Sequence, residues 1–236
     1  MPEAIIITPV KDSFQTTKLT VKAISEAHGN FEHYVFNDFS QTESKLLLEK
    51  AKQQFGFHLV HLEDITSTPS PNYKLVLEIS QKIALENKCP LIIIESDVII
   101  KSDTISGLLE ILKHKSNPGL VGAITIDNSG NYNFPYTFEK IKKKEIVNTS
   151  HSLSFCCTLI SLEFLENFDF KLLSDKKDWF DVYISRQSEK LGFKNYLAKH
   201  LEVLHLPHSS RPWKQLKYTR PILYYFKKLI YKRDRI

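Results

Sequence analysis

Glu95 and Asp97 stand one residue apart in CPLIIIESDVIIKSD, Cys89 to Asp103, where an apolar run, Leu91 to Ile94, gives way to two acids and resumes at Val98. Burying an unpaired carboxylate is costly, so acids at the end of a buried strand are normally paired or metal-bound. On an extended backbone both would project from one face. That face can hold a hard divalent cation, which takes oxygen ligands and shares them with substrate phosphates. Asp97 is the first candidate ligand and Glu95 the second. The same E-x-D is equally the solvated end of a strand, so other polar residues must decide between the two. Asp178 and Asp181 lie three apart at the start of a helical segment and can face one site. A catalytic base would need that placement, and acids favoured by a helix dipole would show it too. His205 and His208, in HLPHSSRPW, follow a late apolar segment with Arg211 beside them; a lone histidine there is ordinarily a packing or surface residue.

The elements that must position these residues alternate. Ala4 to Thr8, Tyr34 to Phe36, His58 to Leu62, Leu91 to Ile94 and Leu120 to Ile126 read as strands. Between them, Thr17 to His28, Ser44 to Phe55, Asn72 to Asn87 and Asp103 to Lys115 carry apolar residues at helical spacing. That alternation predicts an α/β fold with a mostly parallel central sheet flanked by helices. Ligands of such sheets bind outside the carboxyl ends of the strands. Thr8, Asp38 and the Glu95/Asp97 pair all fall at such ends, so they are expected to face one crevice. The second half predicts a strand over Ser150 to Ile160, a short helix over Ser161 to Phe168 capped by Ser161, and a longer one over Asp178 to Leu191 closed by Gly192. A last strand is expected at Val203 to Leu206.

With 236 residues and 42% hydrophobic content the chain can bury a full core. It has no apolar run long enough to span a membrane, and MPEAIIITPV lacks the basic flank and cleavage site of a signal peptide. Cys89, Cys156 and Cys157 fit reduced thiols that pack, rather than a disulfide framework. No G-x-G-x-x-G and no G-x-x-x-x-G-K-[ST] occurs, and there are only 7 glycines, so phosphate charge would be met by a metal and side chains. The net charge of +5 is uneven: Arg211 to Ile236 holds nine Lys/Arg against Asp234 alone, leaving the body slightly acidic. Nucleic acid is therefore not an expected partner. The tail interleaves Leu, Ile, Tyr and Phe with lysines, the form of an amphipathic interfacial helix drawn to anionic lipid or of a terminal helix packed on the body.

Four pieces recur together in order: Ile5 to Val10 (IITPV with its leading Ile), Val35 to Ser40 (VFNDFS), Ile94 to Asp97 (IESD), and Asp178-Trp179-Phe180-Asp181 with Arg186 and Gly192 beyond. Taken together they resemble the inverting family 2 glycosyltransferases of the GT-A fold, over residues 4 to 210. The resemblance implies one catalytic domain, residues 1–210, with a nucleotide-sugar half (1–126), a smaller mixed acceptor-side half (127–210), and a basic tail, 211–236. It implies that Thr8 and Asp38 contact the base and ribose of a UDP-sugar, and that Asp97 binds Mn2+ or Mg2+ at the diphosphate with Glu95 near the ribose or a metal-bound water. His205 or His208 would reach the metal or diphosphate with Arg211. Glu95 departs from the family's D-x-D, and Phe39 stands where a small residue is common.

The chemistry implied is transfer of a sugar to a hydroxyl with inversion, which needs the leaving diphosphate's charge offset and a base on the opposite face. Asp178 and Asp181 are both candidates, and Asp178 is favoured because it precedes Trp179, an aromatic suited to a sugar face. The acceptor would be a saccharide or lipid-linked sugar, in surface polysaccharide or glycoconjugate synthesis, and the protein cytoplasmic or peripheral on the inner membrane face. A nucleotidyltransferase, or a non-catalytic membrane or nucleic-acid binding module using the tail, are the alternatives.

Overall fold

A computed structural model of the chain describes residues 1–136, 146–175, 179–206 and 223–226. β1 (Ala4–Val10), α1 (Phe14–Ser25), β2 (Phe31–Asn37), α2 (Thr42–Phe55), β3 (His58–His61), α3 (Tyr73–Asn87) and β4 (Leu91–Ile94) alternate as the hydrophobic periodicity predicts. β5 (Val98–Ile99), α4 (Thr104–His114), β6 (Pro118–Ile126), β7 (Ile146–Asn148), β8 (Cys157–Ile160), α5 (Leu162–Asn167), α6 (Phe180–Lys190) and β9 (Lys194–His205) follow, with short 3-10 turns at Leu62–Asp64 and Phe170–Leu172. They form one sheet in the order β3-β2-β1-β4-β8-β6-β9-β5, with β7 beside β9.

The first four strands in that order run parallel. Ile5, Ile6, Ile7 and Leu91 to Ile94 are all fully buried, as a parallel sheet covered on both faces requires. Alternation along the strands sorts the core into two layers. Ile5, Ile7, Leu91 and Ile93 pack with Val76 and Leu77 of α3 and with Phe164 and Phe180. Ala4, Ile6, Ile92 and Ile94 pack with Ile24 of α1 and with Ile105 and Leu108 of α4.

The second half joins the same sheet with the opposite sense. β8 inserts antiparallel between β4 and β6, which separates two strands that a simple alternation would make neighbours. Ser150 to Ile160, expected as one strand, is extended only at Cys157–Ile160; upstream, the Thr158 hydroxyl donates to the Ser154 carbonyl at 2.7 Å and turns the chain. The last strand is far longer than Val203 to Leu206 suggests. β9 pairs parallel with β6 over two segments, Ala123 opposite Ala198 and Ile124 opposite Glu202, so a bulge over 199–201 interrupts the apolar alternation that would have revealed it. Gly192, at φ 85°, closes α6 as expected.

His33, in β2, shows what burial does to a titrating group in this core. Burial, reinforced by repulsion from His58, pushes its pKa down from 6.5 to about 3. The unfolded chain takes up a proton below pH 6.5 while the folded one does not, so this group makes stability fall as pH drops from about 6.5 to about 3. Its limiting slope is about 1.4 kcal/mol per pH unit. Urea unfolding at pH 7 and pH 5 is expected to show that loss, and His33→Asn to flatten it. Equal pH slopes in the two proteins would show that His33 is not the source.

Candidate functional site

The carboxyl edge of the parallel strands is a stitched rim. β1 runs two residues past Thr8, to Val10, and the loop after it bonds to the loop after β2. The Asp38 amide donates to the Val10 carbonyl (2.9 Å), the Asp12 amide to Ser40 Oγ (3.0 Å), and the Gln41 amide to Asp12 Oδ1 (2.7 Å). Asp12 and Phe39 hold positive φ of 49° and 55° to make these turns. Ser13 Oγ lies 3.2 Å from Ser96 Oγ and ties this rim to the end of β4.

Thr8 lies inside the sheet rather than at its edge. It is fully buried, with its hydroxyl 3.0 Å from His33 Nε2; the longer β1 leaves it inside the sheet and brings Lys11 to Ser13 to the edge instead. Asp38 is at the edge but engaged with its own chain. It accepts from Ser70 Oγ (2.6 Å), the Asn72 amide (2.9 Å) and Asn72 Nδ2 (2.8 Å). Those bonds fix the residue immediately before α3 and so aim Tyr73. Asp38 as placed is a positioning group for that helix start.

Glu95 and Asp97 are not on an extended strand. The Val98 amide donates to the Glu95 carbonyl at 3.1 Å, closing a turn that sends the chain into β5. β5 then pairs antiparallel with β9, Val98 opposite His205, and the Leu206 amide donates to the Asp97 carbonyl at 2.8 Å. The turn replaces the same-face geometry of a strand and delivers Asp97 to His205. Both are buried, at 6% and 4% exposure, with His205 Nε2 3.7 Å from Asp97 Oδ1. His205 Nδ1 lies 2.9 Å from the Phe134 carbonyl, which can only accept, so Nδ1 carries the proton and Nε2 is the nitrogen that faces Asp97. Metal-binding histidines are held in this way. Ligands about 2.1 Å from one ion stand roughly 3.4 Å apart when tetrahedral, close to the Asp97–His205 separation.

Cys156, unforeseen as a site residue, completes the cluster. Glu95, Cys156 and His205 bring one donor atom each to within 4.8 Å of one another, and the Cys156 thiol donates to Glu95 Oε2 at 3.5 Å. Burial first, then the Glu95 charge, holds the thiol protonated, its pKa well above the usual value. The carboxylate oxygens and the imidazole nitrogen gathered here are donors that a divalent cation can take.

Tyr73 lies close enough to Glu95 and Asp181 to feel their charges and was also missed. Its ring stacks on Phe180 (centroids 6.1 Å, 16°) and leans on Phe155 (6.3 Å). Its hydroxyl is buried without a hydrogen-bond partner among the described residues. Burial, then the charges of Glu95 and Asp181, raises its pKa well above 10.0, so it stays a hydrogen-bond donor. Helical periodicity alone made it one more apolar position; its placement depends on Asp38, distant in sequence, bonding to the neighbouring Asn72. Asp181 sits in the first turn of α6 and caps the Val182 amide at 2.8 Å; its charge reaches both Tyr73 and Tyr136. Asp178, His208 and Arg211 lie outside the described residues, as does the tail apart from 223–226.

No protein-family model matches the chain, and no curated protein sequence matches it. Its fold, however, is shared with solved structures. The mannosyltransferase PcManGT from Pyrobaculum calidifontis, in complex with GDP-Man and Mn2+, matches with a TM-score of 0.65 at 13% identity, covering 100% of this chain and 65% of that one. S. aureus TarS 1-349 with UDP-GlcNAc gives 0.68 at 14% identity, covering 88% and 59%. GalNAc-T7 with UDP, GalNAc and Mn2+ gives 0.64 at 13%, covering 89% and 45%. The chain thus spans less than two thirds of the length of each. The likeness establishes a GT-A-like α/β fold.

Proposed function

We propose that the chain is a cation-dependent glycosyltransferase that moves a sugar from a nucleotide diphosphate donor, a UDP-sugar, to a hydroxyl acceptor with inversion. The observation that carries this reading is the meeting of Asp97 and His205 at 3.7 Å beside Glu95, at the carboxyl end of β4. The fold likeness supports it, since the proteins matched were solved with GDP-Man and Mn2+, with UDP-GlcNAc, or with UDP, GalNAc and Mn2+.

Asp97 and His205 would hold the cation, with the Phe134 carbonyl fixing the imidazole and Glu95 lying at the donor side. Bound Mn2+ or Mg2+ would offset the negative charge that grows on a departing nucleoside diphosphate. Asp38 keeps the start of α3 in place. Tyr73, protonated and under the charges of Glu95 and Asp181, supplies a hydrogen bond to a sugar oxygen. Asp181 takes the acceptor hydroxyl's proton, with His208 and Arg211 as further diphosphate groups implied by the family resemblance.

The test is incubation of the full chain with UDP- and GDP-sugars and Mn2+. Release of UDP that EDTA abolishes is expected, and an inverted anomeric configuration in the product. GDP release would change the donor, pyrophosphate release would identify nucleotidyl transfer, and the absence of both nucleotide binding and release would overturn the reading.

We further propose a membrane-facing tail for a lipid-linked acceptor. Tyr224 is buried while Tyr225 and Phe226 are 54% and 63% exposed, and Lys227 and Lys228 follow them. Removal of 220–236 should abolish sedimentation with phosphatidylglycerol vesicles at low salt; a truncated chain that still sediments would sink this idea.

A further inference from the structure

A hard-cation site has no use for sulfur, yet one of the donor atoms at the end of β4 is the Cys156 thiol. Its place is fixed by the sheet. β4 and β8 pair with Ile94 opposite Cys157, and the Glu95 amide donates to the Cys156 carbonyl at 3.1 Å, so residue 156 is held beside residue 95. The thiol is 2% exposed, 3.5 Å from Glu95 Oε2, and within 4.8 Å of the donor atoms of both Glu95 and His205. Cys156 and Cys157 are both buried in the apolar layer with Ile92 and Leu159, but it is the Cys156 thiol that bonds to Glu95 and joins Glu95 and His205.

A sulfur, an imidazole nitrogen and a carboxylate oxygen within 4.8 Å of one another form the donor set of zinc-type sites rather than of magnesium sites. Mg2+ binds oxygen and keeps its waters; a thiol next to it gains nothing. We propose that Cys156 is a thiolate ligand of the cation site it shares with Glu95 and His205, and that this site takes Zn2+ or Co2+ ahead of Mg2+. Binding forms the metal–sulfur bond as the S–H bond breaks, and the proton passes to Glu95 Oε2 and on to solvent, one proton per ion. The inference uses the same residues as the proposed transferase but does not depend on any transfer taking place.

The test titrates Co2+ into the full chain after EDTA treatment, under a reductant that does not bind metal, and reads the near-ultraviolet sulfur-to-cobalt charge-transfer band. The band should appear with one equivalent, vanish on adding Zn2+, and survive a large excess of Mg2+. In Cys156→Ser it should be absent, with Co2+ bound more weakly, whereas Cys157→Ser should keep it. X-ray absorption on the wild-type Zn2+ complex asks the same question without a variant, since a sulfur neighbour at about 2.3 Å is expected. Co2+ bound without the band, a band retained in Cys156→Ser or lost in Cys157→Ser, or a zinc shell without sulfur would overturn the thiolate assignment and leave an oxygen and nitrogen site for the transferase intact. Failure of Co2+, Zn2+ and Mn2+ all to bind would remove the cation site itself, and with it both readings.

Discussion

Asp97→Asn is expected to abolish Mn2+-dependent binding of a nucleotide sugar, lowering affinity by about a hundredfold or more, roughly 2.7 kcal/mol. Asparagine keeps the shape of the side chain and removes its charge. The fold should survive the change, because the bonds that place residue 97 are made by backbone: the Leu206 amide to its carbonyl and the turn from Glu95 to Val98. What is lost is the anionic partner that faces His205 Nε2 at 3.7 Å. A cation held there by an imidazole and by Glu95 alone would lack the ligand placed between β5 and the end of β9. Calorimetry with UDP and a UDP-sugar, with and without Mn2+, reads the effect directly. The Mn2+-independent part of nucleotide binding should be unchanged, and circular dichroism should match the wild type. Unchanged Mn2+-dependent affinity would remove Asp97 from the site.

The residues of that site were legible in the sequence to unequal degrees, and the differences have physical causes. Glu95 and Asp97 announced themselves because two acids interrupt a run that is otherwise buried on both faces. The turn between them did not, since nothing local distinguishes E-S-D as a turn from E-S-D as a strand end; the pairing of Val98 with His205, more than a hundred residues away, decides it. The parallel half of the sheet followed from the alternation of strands and helices, whereas β8 and β9 depend on which strand inserts where. The bulge at 199–201 hid most of β9 by breaking its period. Thr8 shows the effect of a strand end misjudged by two residues: its side chain lies buried inside the sheet, with the hydroxyl beside His33. Cys156 and Tyr73 look like core residues in sequence, and they are packed like core residues. Their polar atoms matter because the sheet sets the Cys156 thiol against Glu95 and the Tyr73 phenol within reach of the charges of Glu95 and Asp181, and no short-range pattern encodes that.

The second large effect concerns the base. Sequence favours Asp178 for its place beside Trp179; Asp178 lies outside the described residues, and the candidate whose place is described is Asp181, whose charge acts on the Tyr73 phenol. Asp181→Asn is therefore expected to leave UDP-sugar affinity with Mn2+ unchanged while lowering the transfer rate by about 10²- to 10⁴-fold, the usual contribution of a general base. The split between binding and rate is the informative part, because a purely structural role at the start of α6 would lower both along with stability. Some stability change is built in, as Asp181 Oδ1 accepts from the Val182 amide at 2.8 Å. Asparagine retains a carbonyl oxygen for that bond and the loss should be small, a few tenths of a kcal/mol at a helix first turn. Asp178→Asn should reduce transfer far less. Were Asp178→Asn alone to abolish transfer with donor binding intact, the base would be Asp178, and Asp181 would be left to hold the helix start and the orientation of Tyr73.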